Sequence, residues 1–254
     1  SVLTNSSMKL TLSEPRYLKD SLLIISELVT SANLRITKDR IELIAMDPAN
    51  VAMVIFRLLS SAFSEYSVDE EKVIGLNLTN LTQILKRIKP TDTLTLQLDE
   101  NRNRLNVILN GTSVKNFELA LLDIEQREHK IPNLKFSAKI EANTLMFNDA
   151  IEDMDVIADS LSLMAQSDKF IIKGEGNTSA GRIEVNGDEE TLITSPENVS
   201  AKYSVEYMKK IVKGSKLANS VILEFGQDYP LRAEYRVLDK LSLSFILAPR
   251  MPTD

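Results

Sequence analysis

The sequence predicts an α+β fold built twice over. Three observations support this: short runs alternating apolar and polar residues dominate the chain, amphipathic helical stretches interrupt them, and the order of helix and strands recurs in the second half. The 254 residues are 43% hydrophobic and 26% charged, enough apolar material for two modest domains, each with its own core.

The first helix is expected in PRYLKDSLLIISELV from Pro15, followed by two strand-like runs, LRITKDRIELIAM, folding around a Lys38-Asp39 turn. VAMVIFRLL follows as a third strand. In LTNLTQILKRI, Leu81, Ile84, Leu85 and Ile88 recur at i, i+3, i+4 and i+7, so one stripe is apolar while Lys86, Arg87 and Lys89 project away from it. TLTLQLD, RLNVILNG and KNFELALL alternate as strands, and the turn-prone pair Asn110-Gly111 suits a hairpin. These short strands and tight turns favour antiparallel sheets backed by helices over parallel βαβ units.

The second half repeats this grammar. NTLMFNDAIEDMDVIADS carries an apolar stripe of Phe147, Ala150, Ile151, Met154 and Ala158, and a Ser167-Asp168 turn stands where the first half has Lys38-Asp39. VEYMKKIVKGSK matches the earlier basic helix, with Met208, Ile211 and Val212 apolar and Lys209, Lys210 and Lys213 outside the stripe; SVILEFG follows as a strand, and Asn186-Gly187 suits another hairpin. Between the halves, LLDIEQREHKIPNLKF is charged and closed by Ile131-Pro132, which biases it to an extended linker. The expected boundaries are residues 1–120, a connector at 121–135, and residues 136–254.

Composition excludes several chemistries. With no cysteine there is no disulfide framework, thiolate nucleophile or cysteine-held zinc, and a single histidine, His129, leaves no multi-histidine metal site. No window reaches the run of roughly 18 apolar residues that a membrane span needs. The N-terminal SVLTNSS lacks a signal-peptide core and reads as a flexible extension ahead of a native start at Met8. An intracellular protein is expected, so the N-x-S/T sequons at Asn5, Asn77, Asn80, Asn110, Asn177 and Asn198 read as chance matches. A net charge of −6 argues against indiscriminate nucleic-acid binding, so a polyanion would be met by a local patch. GEGNTSAGRIEVNG lacks the lysine and following helix of a phosphate loop and reads as a hairpin. The carboxylates Asp149, Glu152, Asp153 and Asp155 read as a solvated helix face, and His129 as an exposed linker residue.

In IELIAMDPANVAMV, LTNLTQILKRI, LLDIEQREHKIP and the terminal FILAPR, in that order and spacing, the chain resembles the sliding clamps of archaea and eukaryotes, the proliferating cell nuclear antigen family. The likeness runs from about Met8 to Arg250. It implies a DNA-clamp fold, two similar domains each with two inner helices against outer antiparallel sheets, and a closed ring of three subunits around duplex DNA. By position, it implies DNA-facing roles for Lys19, Lys86, Arg87, Lys89, Lys209, Lys210 and Lys213. The third helix departs from the family's basic pattern with its four carboxylates. A partner-peptide pocket is implied at Met46, Val51, Ile131, Pro132, Pro230, Ile246, Ala248 and Pro249. Subunit contacts are implied along Val114 to Leu121 and Arg182 to Thr191, with Val114, Phe117, Arg182, Ile183 and Val185 as the named positions.

The function so implied is non-enzymatic, without cofactor or metal: a processivity factor that slides on DNA without reading sequence and tethers DNA polymerase, flap endonuclease, DNA ligase and repair proteins through short peptide motifs. An ATP-driven clamp loader would open it. The expected location is cytoplasmic, on the nucleoid in an archaeon, or nuclear in a eukaryote. Homotrimer and heterotrimer both remain open: the acidic third helix and the His129-Lys130 variant of the connector also suit one subunit of a mixed or checkpoint-type ring. A metal-dependent hydrolase using Asp149 and Glu152 is a third reading from another class.

Overall fold

The structure, a computed structural model, describes residues 7–252, so all but Ser7 of the N-terminal extension, with the Asn5 sequon, lies outside the described residues. In chain order the elements are β1 (Met8–Leu12), α1 (Arg16–Ile25), β2 (Ser31–Ile36), β3 (Arg40–Met46), β4 (Ala52–Leu59), β5 (Glu65–Val68), β6 (Lys72–Asn77), α2 (Leu78–Leu85), β7 (Thr93–Asp99), β8 (Arg104–Asn110) and β9 (Val114–Ala120). Then follow β10 (Ala138–Asn143), α3 (Thr144–Asp155), β11 (Ser160–Ala165), β12 (Lys169–Glu175), β13 (Ala180–Asn186), β14 (Leu192–Thr194), β15 (Val199–Ser204), α4 (Val205–Ile211), β16 (Ser220–Phe225), β17 (Leu231–Val237) and β18 (Leu241–Leu247). The α+β class and the helix-and-strand repeat both hold.

Two compact units divide the chain, and short segments cross over in sequence: the second unit takes in Met46–Val54 and the chain from Leu243 onward, the first takes in Val237–Ser242. In the first unit a five-stranded antiparallel sheet runs β5-β1-β7-β8-β9, and β2 pairs with β3 and β6. In the second a four-stranded sheet runs β13-β12-β11-β15, β10 pairs with β14 and β16, and β16 with β17.

Alternation decides which face is buried. Leu10, Leu94, Leu96, Leu105 and Val107 are 3% exposed or less, and the intervening polar residues stay partly solvated. α1 starts after Pro15 without a side-chain cap, whereas α2, α3 and α4 start where a strand hands over to a capping side chain. Asn77 accepts from the Asn80 N–H at 3.0 Å, Asn143 from those of Leu145 and Met146, and Ser204 from that of Tyr207. Asn77, read above as a chance sequon, is thus committed to capping α2.

α2 stops at Leu85, earlier than its apolar stripe suggests. The chain tightens into i→i+3 turns, Arg87 N–H to Ile84 O and Ile88 N–H to Leu85 O, because Pro90 disfavours helix at the residue before it. α4 likewise gives way at Val212 to a 3₁₀ turn reaching Lys216. Gly214 within that turn passes so close to Tyr235 that a Cβ would lie 2.3 Å from its ring, and the Tyr235 hydroxyl donates to Ile211 O at 3.0 Å.

One turn expectation changes. Asn110-Gly111 does lead from β8 into β9, but Asn186-Gly187 makes no hairpin: Gly187 N–H donates to Asp168 O, and residues 187–191 form a turn around the Asp188 carboxylate, so β13 ends at Asn186 rather than Thr191. The hairpin read in GEGNTSAG is present, closed by Gly176 N–H to Ser179 O at 2.7 Å. From Leu121 to Ser137 the chain forms no helix or strand, apart from a bridge between Leu122 and Gly75; a Cβ at Gly75 would lie 2.2 Å from the Leu122 carbonyl.

Candidate functional site

The basic residues collect at helix C-termini. Lys86 follows the last residue of α2, and Arg87 and Lys89 sit in the turns beyond it, all three exposed. Lys209 and Lys210 occupy the last turn of α4 and Lys213 the 3₁₀ turn that continues it. Cations there complement the helix dipole, so an exposed positive cluster is locally favourable in an acidic chain. Lys19, on α1, is half-buried.

α3 presents the opposite sign. Phe147, Ala150, Ile151 and Met154 of its apolar stripe are buried as expected, Ala158 lies half-buried beyond the end of the helix, and Asp149, Glu152, Asp153 and Asp155 are exposed. Asp155 reaches the neighbouring α4 and pairs with Lys209 at 3.0 Å, while Lys210 lies 5.5 Å above the Tyr207 ring. Lys209 and Lys210 are therefore partly engaged before any ligand arrives. Among the described residues no group of three or more His, Cys, Asp or Glu could hold a metal ion.

The segment after β3 is organised by one buried carboxylate. Asp47 accepts from the N–H groups of Val51 at 2.7 Å, Ala52 at 2.8 Å and Ala49 at 3.3 Å, and from the Tyr207 hydroxyl of α4. The turn passes through Asn50 in the left-handed region, φ 58°, which asparagine tolerates well. Burial alone would raise the Asp47 carboxyl, but the hydrogen bonds from Ala52, Tyr207, Val51 and Ala49 outweigh it and hold the group below the ordinary carboxylate range. Burial first, and then the Asp47 carboxylate, push Tyr207 up to about 12.

This turn meets the C-terminal segment, where Ala248 N–H donates to Val51 O at 2.9 Å. Met46, Val51, Pro230, Ile246 and Pro249 are half-buried; Ile131, Pro132 and Ala248 are exposed. Tyr229, next to Pro230, holds the end of the connector: its hydroxyl accepts from Lys135 N–H at 3.1 Å and its ring stands edge-on to Phe136 at 5.9 Å. Val51 and Ala248 are thus brought together directly, and Pro230 lies beside the connector's anchor.

The two strands expected at subunit contacts are both sheet edges. Among the described residues β9 has β8 as its single neighbour and β13 has β12. Val114 is 70% exposed, Arg182 is exposed, and Phe117, Ile183 and Val185 are half-buried. Each offers one row of backbone groups to a further strand.

The sequence matches the proliferating cell nuclear antigen N-terminal domain over residues 8–129 and the C-terminal domain of the same family over residues 130–250. The chain belongs to the proliferating cell nuclear antigen family. Two relatives, each called DNA polymerase sliding clamp, are from Nanoarchaeum equitans, 34% identical with 96% of this chain and 99% of the relative covered, and from Pyrococcus furiosus, 37% identical with 89% and 91% covered. The crystal structure of the proliferating cell nuclear antigen from Thermococcus kodakaraensis superposes with a TM-score of 0.90 at 29% identity, covering 96% of this chain and all of that one. That from Entamoeba histolytica does so with a TM-score of 0.92 at 22% identity, covering 97% and 100%.

In this member of the clamp family, three links escaped the sequence reading: Asp47 with Tyr207, Tyr229 as the connector's anchor, and Asp155 as the partner of Lys209. Asp47 had a local signal, an aspartate opening a turn at Asp-Pro with free N–H groups ahead of it. The other links join residues distant in the chain, and no spacing within one element announces them.

Proposed function

We propose that the chain is a DNA polymerase sliding clamp, a non-catalytic processivity factor that closes into a ring of three copies around duplex DNA. The observation that carries this reading is the match of both halves to one clamp family, with exposed cations gathered at the C-termini of α2 and α4. Lys86, Arg87, Lys89, Lys209, Lys210 and Lys213, with Lys19, would meet phosphates and exchange them for released counterions. Such contacts carry no sequence information and therefore permit sliding. Topological linkage holds the ring on DNA, so individual contacts stay weak.

β9 of one copy would add to β13 of the next, covering both open edges with Val114 and Phe117 against Arg182, Ile183 and Val185. Polymerase, flap endonuclease, ligase and repair proteins would dock short peptides on Met46, Val51, Ile131, Pro132, Pro230, Ile246, Ala248 and Pro249, a helical turn laid into a groove. A clamp loader would supply the ATP-driven opening, in the cytoplasm of an archaeon or the nucleus of a eukaryote.

The solution mass of the chain alone, by light scattering across a concentration series, tests the assembly. A mass of three chains is expected, together with longer polymerase products on circular DNA; a single-chain mass at every concentration would overturn the homotrimer and favour a mixed ring.

A further inference from the structure

The outward face of the four-stranded sheet carries a line of positive charge of which the clamp reading uses only the end, Arg182 at the subunit edge. Strand register sets Arg182 of β13 opposite Lys173 of β12, Lys173 opposite Ser162 of β11, and Ser162 opposite Lys202 of β15. Residues directly opposite on antiparallel strands share a face. The alternate residues Leu161, Leu163, Ile172, Ala201 and Tyr203 are buried, which turns this row to solvent. Arg250 prolongs it: its N–H donates to Lys202 O at 2.7 Å, and its guanidinium reaches the Asp159 carbonyl beside Ser160 at 3.4 Å. At the centre a cavity of about 80 Å³ opens between Ser160, Ser162, Lys173, Glu175 and Lys202.

The charge of this row is largely uncompensated. Glu184 takes up Arg182 at 2.8 Å and Lys169 at 3.8 Å, but Lys173, Lys202 and Arg250 have no carboxylate partner among the described residues. In a chain of net charge −6, three such cations around two serine hydroxyls form a local anion-attracting strip.

We infer that this row is a docking strip for an extended acidic segment of a partner protein. Shape argues for one narrow chain. The row is a single residue deep, spans about 19 Å at the usual strand spacing, and is bounded by Glu184 in the register row on one side and Glu175 in that on the other. A duplex would lay its second line of phosphates against those carboxylates, and the outward side chains Ser160, Ser162, Met164 and Ser200 offer no ring on which unpaired bases could stack. An extended peptide with Asp or Glu at alternate positions places a carboxylate every ~6.6 Å, within reach of the long lysine and arginine arms, while serine hydroxyls donate between them. The strip also runs into Pro249 and Ala248 through Arg250, so an acidic flank of a peptide docked there would lie along it. That last step, alone, rests on the clamp reading.

The test uses the full chain and a fluorescent twelve-residue peptide of alternating Glu and Ser, with binding read by anisotropy at low salt. Binding is expected, weakened at least about fivefold by Lys173→Glu with Lys202→Glu, in keeping with two exposed ion pairs, and unchanged by Lys86→Ala with Lys209→Ala. No binding of the peptide, or equal loss in both double variants, overturns the strip. Tighter binding of a single-stranded oligonucleotide, abolished by the Lys173 and Lys202 changes, overturns the choice of a peptide as occupant. Failure of the ring assembly or of polymerase stimulation leaves this titration interpretable, because it uses neither.

Discussion

α2 and α3 are built on one plan and finished with opposite charge. Each follows a strand directly, starts on an asparagine cap and buries an apolar stripe, Leu78, Leu81 and Leu85 in one, Phe147, Ala150, Ile151 and Met154 in the other. Beyond the stripe, α2 ends in Lys86, Arg87 and Lys89, whereas α3 exposes Asp149, Glu152, Asp153 and Asp155. The buried side of a helix answers to its neighbours at close-packed density, so its shape and apolarity are constrained. The solvated side answers to little except capping, dipole and ligand, so charge can diverge there without cost to the scaffold.

The largest effect should come from what the helices share. Phe147→Ala should cost about 3–5 kcal/mol and Leu81→Ala about 2–5 kcal/mol in denaturant unfolding. A loss below about 1 kcal/mol for either would break the equivalence of the two stripes.

A second test concerns α4, where the repeat sets Tyr207 at the place α2 gives to Asn80. Tyr207→Phe removes one hydrogen bond from the buried Asp47 carboxylate and should cost about 1–3 kcal/mol. The pH dependence has a definite sign. The folded-state pKa of Asp47 is depressed, so its stabilisation is present above the unfolded value of about 3.9 and is lost as pH falls through the lower folded value. Tyr207, raised to about 12, contributes stability below the unfolded value of about 10 and loses it as pH climbs through 12. Thermal melts of wild type and Asp47→Asn from pH 2 to 6 should converge at the acid end; a constant gap would rule Asp47 out as the source.

The charge difference itself predicts a graded salt response. Replacing Lys86, Arg87 and Lys89 by alanine should flatten the log–log salt slope of DNA interaction by up to about 2.7, at ~0.9 per lost phosphate contact. The same treatment of Lys209, Lys210 and Lys213 should flatten it less, because Asp155 already engages Lys209. Equal slopes would show that the acidic helix does not temper its neighbour.

Smallest of all, Asp155→Asn should steepen the slope by up to ~0.9 while changing stability by less than about 1 kcal/mol, as expected for a half-exposed pair. An unchanged slope would mean that Lys209 stays away from phosphate even when released.

Much of this was readable in the residues. The i, i+3, i+4, i+7 stripe in LTNLTQILKRI and the alternation in TLTLQLD and RLNVILNG mark α2, β7 and β8 because backbone geometry repeats every 3.6 or 2 residues whatever the rest of the chain does. Helix ends were less readable: α2 stops before Ile88 because Pro90 acts against the stripe, and α4 yields at Val212, two residues before Gly214 packs under Tyr235. Likewise Asn186-Gly187 has hairpin chemistry but is used against Asp168 instead, since the next strand, β14, pairs with β10 rather than turning back on β13.

By itself, the sequence determined the duplication, the class, the buried stripes and the list of candidate cations, all properties of local periodicity and residue type. Tertiary structure decided which groups meet: Asp155 with Lys209, Tyr207 with Asp47, Ala248 with Val51, and the single row formed by Arg182, Lys173, Ser162 and Lys202. Hydrogen bonds act within about 3 Å and exposed charges are screened over roughly 10 Å, so the partner of a charge depends on which distant segment the fold carries to it, and no window along the chain contains that segment.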